Sequence, residues 1–349
     1  MDLSAFRALW LHRYRKYTYI LGEYVRALGT IAHFSALKIS FRGRKQLVAI
    51  LRTEHFGDIV AAEPLARQVR ALTPDAYIVW IVRPVFKELV ERHPEIDEVW
   101  AQPSVLQRKL VCESGVFEKM YNLEFWQSNR DPISEHVHQN RVAAQKDITV
   151  FNYFEKGNLL SIFQQCAELP VLDDAPRVYI DDVDRERVDA LQLPEKLIVI
   201  HCSSNYPTKD WSVENWHTLT NWLMLEKGYY VAEIGLKNVI QTAHPQYINL
   251  CGQFSILQTA EIIRRAHFFV GIDSGPAHLA NAVGTFGVLL FGRLNNFDAY
   301  MPYSGDYRNG NNALMIREPG KTCAALDYGL VKAEMETVLE QIPKAATVI

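Results

Sequence analysis

The sequence predicts an α/β protein built as two doubly wound domains in tandem. Three observations carry that prediction. Short, largely apolar runs rich in β-formers (47–51, 77–82, 197–201, 267–272, 287–291) alternate with stretches of helical period (57–72, 213–226, 256–265). The alternation stops near Pro194 and restarts at Leu197, which sets residues 192–196 as a boundary. The chain has 349 residues, 48% hydrophobic and 22% charged, enough for two cores. Strands this apolar are buried on both faces, so each sheet should be parallel and covered by helices on both sides. The domain reading is a helical extension (1–45), an N-terminal domain (46–193) and a C-terminal domain (194–349).

Residues 1–45 read as helix. Leu3, Phe6, Trp10, Tyr14, Tyr17, Leu21, Tyr24, Leu28 and Ile31 recur at steps of three and four with no proline between them. Nine Lys or Arg stand here against Asp2 and Glu23, a net of +7; the whole chain carries −3, so the other 304 residues carry −10. A basic start on an acidic body argues for a local anionic partner and against a general nucleic-acid binder. Three readings stay open for this helix: packing on its own protein, packing on a second subunit in a homo-oligomer, or peripheral attachment to an anionic inner-membrane surface, where rings enter the headgroup region and Arg and Lys meet phosphates. A span is disfavoured, because Glu23, Arg26, His33 and Lys38 interrupt the most apolar window. No signal peptide is legible, and five scattered cysteines without a Cys-x-x-Cys pair fit a reducing, cytoplasmic compartment.

The first domain should run strand 47–51, helix 57–72, strand 77–82, helix 85–92 and strand 98–101. A strand at 121–125, a polar loop over 127–145, a helix at 159–168, a strand at 177–180 and a helix at 184–191 then close it. The second should run strand 197–201, helix 213–226, strand 229–234, strand 247–250, helix 256–265, strand 267–272, helix 276–283 and strand 287–291, with a last helix at 331–342. Two such domains imply a cleft facing the C-terminal ends of both sheets, where open α/β sheets bind ligands.

Neither half carries Gly-x-Gly-x-x-Gly or a Walker A sequence after its first strand, which argues against a nicotinamide dehydrogenase and a P-loop kinase. What stands there instead is Arg52-Thr-Glu-His-Phe-Gly57-Asp58, with Gly57 allowing close backbone approach and Asp58 at a helix start. The second half offers His201-Cys-Ser203-Ser204-Asn-Tyr-Pro-Thr-Lys209, hydroxyls and a lysine suited to phosphate. Most distinctive is Asp273-Ser274-Gly275-Pro276-Ala-His278, a strand end, tight turn and helix start. Unpaired N–H groups and the dipole at such a start suit a diphosphate, with Ser274 as cap and Pro276 in the first turn. Each also has a plain structural reading: a first-turn acid for Asp58, an exposed loop for Lys209, a capped helix for Ser274.

Together these stretches resemble glycosyltransferase family 9, the ADP-heptose:lipopolysaccharide heptosyltransferases. The matching residues are Gly57 and Asp58 with Pro64 and Leu72-Thr-Pro-Asp-Ala-Tyr-Ile; Lys209-Asp-Trp211 with Trp216; Gly252-Gln-Phe-Ser-Ile-Leu; and Gly271-Ile-Asp-Ser-Gly-Pro-Ala-His278-Leu-Ala with Gly284 and Phe291-Gly292. The resemblance covers about 47–292 and leaves 1–45 and 103–150 unmatched. It implies a GT-B fold of two Rossmann-like domains and an inverting, metal-independent sugar transfer needing no cofactor beyond a nucleoside-diphosphate sugar, ADP-linked by the family's habit. It also implies a glycan or glycolipid acceptor, such as a lipopolysaccharide core. On that resemblance Asp58 is the general base and Lys209 the catalytic cation on the donor phosphates. Asp273, Ser274, Gly275, Pro276 and His278 hold the donor.

Ser203 and Ser204 match only loosely, and Glu233 is a donor candidate through the ribose, by analogy with acids at strand ends. Arg52, Gly57, Arg130, His136 and Arg141 are the acceptor candidates. An alternative reading pairs Arg52 with Asp58, where it offsets any rise in the Asp58 pKa on burial. His136 and His138 at i, i+2 lack an acidic ligand set, so no metal site is read there. Rival readings are a transferase acting on a protein or capsule acceptor, and a nucleotide-sugar binding or scaffold protein without catalysis.

Overall fold

A computed structural model describes residues 3–102, 104–125 and 130–341. Part of the predicted loop (127–129) and residue 342 of the predicted last helix lie outside the described residues. The chain divides into two compact units. One takes residues up to Glu54, Leu65–Tyr153 and Ile162–Val171; the other takes His55–Pro64, Phe154–Ser161 and residues from Leu172 on.

The first unit opens with α1 (Leu3–Ser40), followed by β1 (Leu47–Leu51), α2 (Phe56–Leu72), β2 (Tyr77–Val82), β3 (Glu98–Ala101), α3 (Val105–Glu113), β4 (Lys119–Asn122) and α4 (Arg141–Gln145). The first turns of α2 count with the second unit. The four strands form a parallel sheet in the order β3-β2-β1-β4. All five residues of β1 are fully buried, as an uninterrupted apolar run requires when both faces are covered. The C-terminal half of α1 belongs to this core: Ala27 and Phe34 are buried with Leu47, Leu51 and Val79, and the Phe34 ring packs 5.0 Å from that of Phe117. Its N-terminal turns, residues 4–15, are exposed on every side. Among the described residues no helix is long and apolar enough to cross a membrane.

The second unit continues with α5 (Leu159–Cys166), whose first turn it holds, and α6 (Asp182–Asp189). Then follow β5 (Leu197–His201), α7 (Val213–Leu225), β6 (Tyr230–Glu233), β7 (Tyr247–Asn249), α8 (Ile256–Arg264), β8 (Phe268–Ile272), α9 (Gly275–Val283), β9 (Gly287–Leu290), α10 (Asp306–Asn309), β10 (Ala313–Ile316) and α11 (Tyr328–Gln341). Its parallel sheet runs β10-β9-β8-β5-β6-β7. Counted within the unit this is 3-2-1-4-5-6 read from β7, the doubly wound dinucleotide order, and its switch point falls between β5 and β8. Trp216, Trp222, Phe268 and Val270 sit in the core beneath.

Some expectations are corrected. The strand expected at 121–125 is Lys119–Asn122, because Leu123 leaves the ladder after bonding to Leu51 O. The helix expected at 85–92 is a short 3-10 turn, Pro84–Leu89. Residues 177–180 form no strand: Arg177 N and the Tyr179 hydroxyl donate to Glu63 at 2.9 and 3.1 Å instead of to a ladder. The sixth strand, β10, and the helices α3, α4 and α10 were not anticipated. Three of these helices are nine residues or fewer, too short to show a period.

Candidate active site

The loops leaving β5 and β8 converge at the switch point of the second unit. Ser274 caps α9 in extended conformation, yet its side chain makes no capping bond. Its Oγ lies 3.2 Å from Ile272 O and 2.9 Å from His201 Nδ1. With the hydroxyl hydrogen on Ile272 O, His201 donates from Nδ1 and keeps Nε2 as an acceptor, an assignment made from the bonding pattern. Burial lowers the His201 pKa to about 4, so the ring is neutral near pH 7. Gly235, at φ +136°, passes the ring so closely that a Cβ there would meet Nε2 at 3.3 Å.

Asp273 is the charged centre of the site. Its buried carboxylate accepts from Lys209 Nζ at 2.5 Å and from the hydroxyls of Tyr300 and Tyr303 at 3.0 and 3.3 Å. Burial pushes the carboxyl up, but the charge and hydrogen bond of Lys209, the nearby His278 and the Tyr300 hydroxyl outweigh it and hold the pKa below the ordinary value. Lys209 ends a 3-10 turn, Pro207–Lys209, started by proline. An ammonium has three donors, so two remain for another anion.

Gly57 and Asp58 join this group through the N-terminus of α2. His55 adopts a left-handed backbone, φ 51°, and turns the chain into the helix. The Phe56 ring then lies where a Cβ on Gly275 would fall, and a Cβ on Gly57 would come within 3.0 Å of His278 Cδ2 and 3.1 Å of Gly275 Cα. Only glycine at both positions lets the two helix starts meet this closely. Asp58 is 21% exposed, with Oδ2 3.6 Å from His55 Nδ1. His278 is buried, its ring 4.7 Å from that of Tyr303 and its Nδ1 without a hydrogen-bond partner. Burial lowers its pKa; the charges of Asp273 and Asp58 oppose this without reversing it.

The structure thus brings Gly57, Asp58, Lys209, Asp273, Ser274, Gly275, Pro276 and His278 together in the second unit. Other candidates are engaged elsewhere. Ser203 is half-buried, while Ser204 holds its own loop, accepting from Tyr206 N and donating to Tyr206 O, both at 3.0 Å. Glu233, buried at the end of β6, accepts from Val239 N, Ile240 N, Asn238 Nδ2 and the Tyr247 hydroxyl at 2.5 to 2.9 Å. In the first unit, Arg52 is fully buried with Nη1 3.0 Å from Glu124 Oε2, and the other oxygen of that carboxylate accepts from Thr53 N and Oγ1, both at 2.7 Å. Arg130 pairs with Glu135 at 3.2 Å, His136 is half-buried, and Arg141 is exposed at the start of α4. Among the described residues no group of three or more His, Cys, Asp or Glu is arranged to hold a metal ion.

Three residues of the site were missed by sequence reasoning. His201 had a signal, since it ends β5 beside the hydroxyl loop. Tyr300 and Tyr303 had none, because they reach Asp273 from an irregular stretch after β9.

The fold is α/β, of the GT-B type. Residues 157–314 match the family model described as glycosyltransferase family 9 (heptosyltransferase), which bears out the resemblance read from the sequence and its enzyme class, a glycosyltransferase. Solved structures agree in fold. A family 9 glycosyltransferase from Veillonella parvula is 16% identical with a TM-score of 0.65, over 85% of this chain and 98% of that one. The ADP-heptose lps heptosyltransferase II of E. coli is 19% identical, TM-score 0.64, over 85% and 99%. The E. coli heptosyltransferase WaaC with ADP is 15% identical, TM-score 0.56, over 84% and 99%. No curated protein sequence matches significantly.

Proposed function

We propose that this glycosyltransferase moves a heptose from ADP-heptose to a saccharide acceptor, the core of a lipopolysaccharide, in one inverting displacement that uses no divalent metal. The observation that carries the reading is the seating of the Gly57-Asp58 turn against the start of α9, which puts a partly exposed carboxylate beside the diphosphate-type helix start. The solved structures of similar fold that contain ADP and an ADP-fluoroheptose support the choice of donor.

In this mechanism Asp58 takes the proton of the acceptor hydroxyl as its oxygen attacks the anomeric carbon. The bond to the diphosphate breaks, and its electron pair leaves on the phosphate oxygen. Lys209, fixed by Asp273, offers its remaining N–H groups to that charge, and the N-terminus of α9 adds the positive end of its dipole. Asp273 therefore orients the cation and does not itself meet the donor. Ser274 and neutral His278 line the same helix start, and Ser203 stands on the donor side. Glu233 and Ser204 shape the loops around the nucleotide. Gly57 gives the acceptor access to Asp58; Arg130, His136 and Arg141 are the candidates for an anionic acceptor, whereas Arg52, buried against Glu124, is not available to one. A glycolipid acceptor puts the work of the enzyme at the cytoplasmic face of a membrane.

The test is Asp58→Asn. Transfer of heptose to a lipopolysaccharide-core acceptor should be abolished while calorimetry finds ADP affinity within about twofold, since the base acts on the acceptor. Retained turnover would remove Asp58 from its role. ADP binding by the unaltered chain without transfer to any acceptor would point to a binding protein.

A further inference from the structure

The N-terminal half of α1 presents a surface that nothing in the transfer reaction uses. Phe6, Trp10, Tyr14, Tyr17, Leu21 and Tyr24 follow one another at steps of four and three and are 42% to 69% exposed. At 100° per residue they form one stripe, about 27 Å long at 1.5 Å per residue. The stripe lies roughly a quarter turn from the face that Ala27 and Phe34 bury in the first unit. Arg7 and Arg13 flank it at about 60° on either side, and Arg13 lies 5.9 Å over the Trp10 ring. A helix exposed all round over residues 4–15 gains nothing from tertiary packing, so its apolar stripe requires a covering surface.

We infer that this stripe docks α1 lengthwise on an anionic lipid surface, the rings among the headgroups and the flanking arginines on lipid phosphates. Charge selects this occupant. Residues 1–45 carry a net of +7, which attracts an anionic bilayer and sets a second copy of the same helix against its own charge. The residue types agree: Trp and Tyr have an apolar body and a polar tip, suited to the boundary between headgroup and acyl chain. The helix lies on the surface and does not enter it, because Arg7, Arg13, Arg15 and Lys16, and beyond them Glu23, Arg26 and Lys38, interrupt every window long enough to span.

The full chain should co-sediment with phosphatidylcholine vesicles containing about one third phosphatidylglycerol, and only weakly with phosphatidylcholine alone, with binding falling as salt rises. Trp10→Ser/Tyr14→Ser/Leu21→Ser and, separately, Arg7→Glu/Arg13→Glu should each lower binding by about tenfold or more. Both variants should keep the thermal transition of the unaltered chain, since the altered side chains are exposed. Absence of vesicle binding, equal binding to neutral vesicles, or variants that bind as before would each overturn the inference. So would a stable oligomer in sedimentation velocity that the triple variant dissociates. Transfer to a soluble acceptor is measured in parallel: its loss in the unaltered chain refutes the catalytic reading and leaves the vesicle result standing by itself.

Discussion

Replacing Lys209 with Ala leaves the buried Asp273 carboxylate with two tyrosine hydroxyls and no cation. Breaking a buried ion pair from one side costs about 3–5 kcal/mol; here the lysine is 18% exposed and the hydroxyls remain, so about 2–3 kcal/mol is expected. At about 2–4 °C per kcal/mol, the midpoint should fall by roughly 4–12 °C near pH 7. The pH dependence identifies the cause. In the unaltered chain Asp273 titrates below its ordinary value, so its stabilising contribution is present above about pH 4 and is lost as pH falls through the lower folded pKa. In Lys209→Ala burial prevails, the carboxyl pKa rises, and the variant gains stability as pH falls toward 4. The two melting curves should therefore converge on acidification, followed by calorimetry from pH 7.5 to 4. Asp273→Asn added to Lys209→Ala should restore much of the midpoint at pH 7 without restoring transfer. A loss that does not change with pH, or no recovery in the double variant, would refute the charge argument and leave Lys209 with a packing role only.

Gly275→Ala drives a methyl group into the Phe56 ring and should cost about 1–3 kcal/mol while displacing the turn that carries Asp58; transfer should fall further than stability alone explains, in kcat rather than ADP affinity. Ser274→Ala leaves the buried His201 Nδ1 without its partner and should cost about 1–3 kcal/mol by thermal unfolding. His201, with a folded pKa of about 4 against about 6.5 unfolded, contributes stability that is full above pH 6.5 and lost as pH falls through 4, a slope that His201→Gln should flatten. Glu233→Ala should melt the 236–240 loop earlier than the sheet, seen as faster amide exchange at Val239 and Ile240, whereas Glu233→Gln keeps part of the bonding.

What was legible in the sequence was whatever rests on a repeating physical pattern. The largely apolar runs of β1, β5 and β8 have one solution, burial on both faces of a parallel sheet, and β5 and β1 fall on the predicted residues. The turn from Asp273 to His278 was legible because cap, glycine and proline each favour a helix start for a separate reason. The rest depends on choices made in three dimensions. Arg52 stands close to Asp58 along the chain, yet its guanidinium is bonded to Glu124, 72 positions away, and packs 4.8 Å from the Phe163 ring. Glu233 looked like a ribose ligand because acids at strand ends often are, but the loop after β6 folds back and fills its oxygens with two backbone N–H groups, an amide and a hydroxyl. Such a carboxylate would have to give up bonds within the chain to meet a ribose. Lys209 shows the opposite case: its one carboxylate contact fixes the ammonium and leaves donors over, and spacing along the chain could not distinguish these two kinds of engagement.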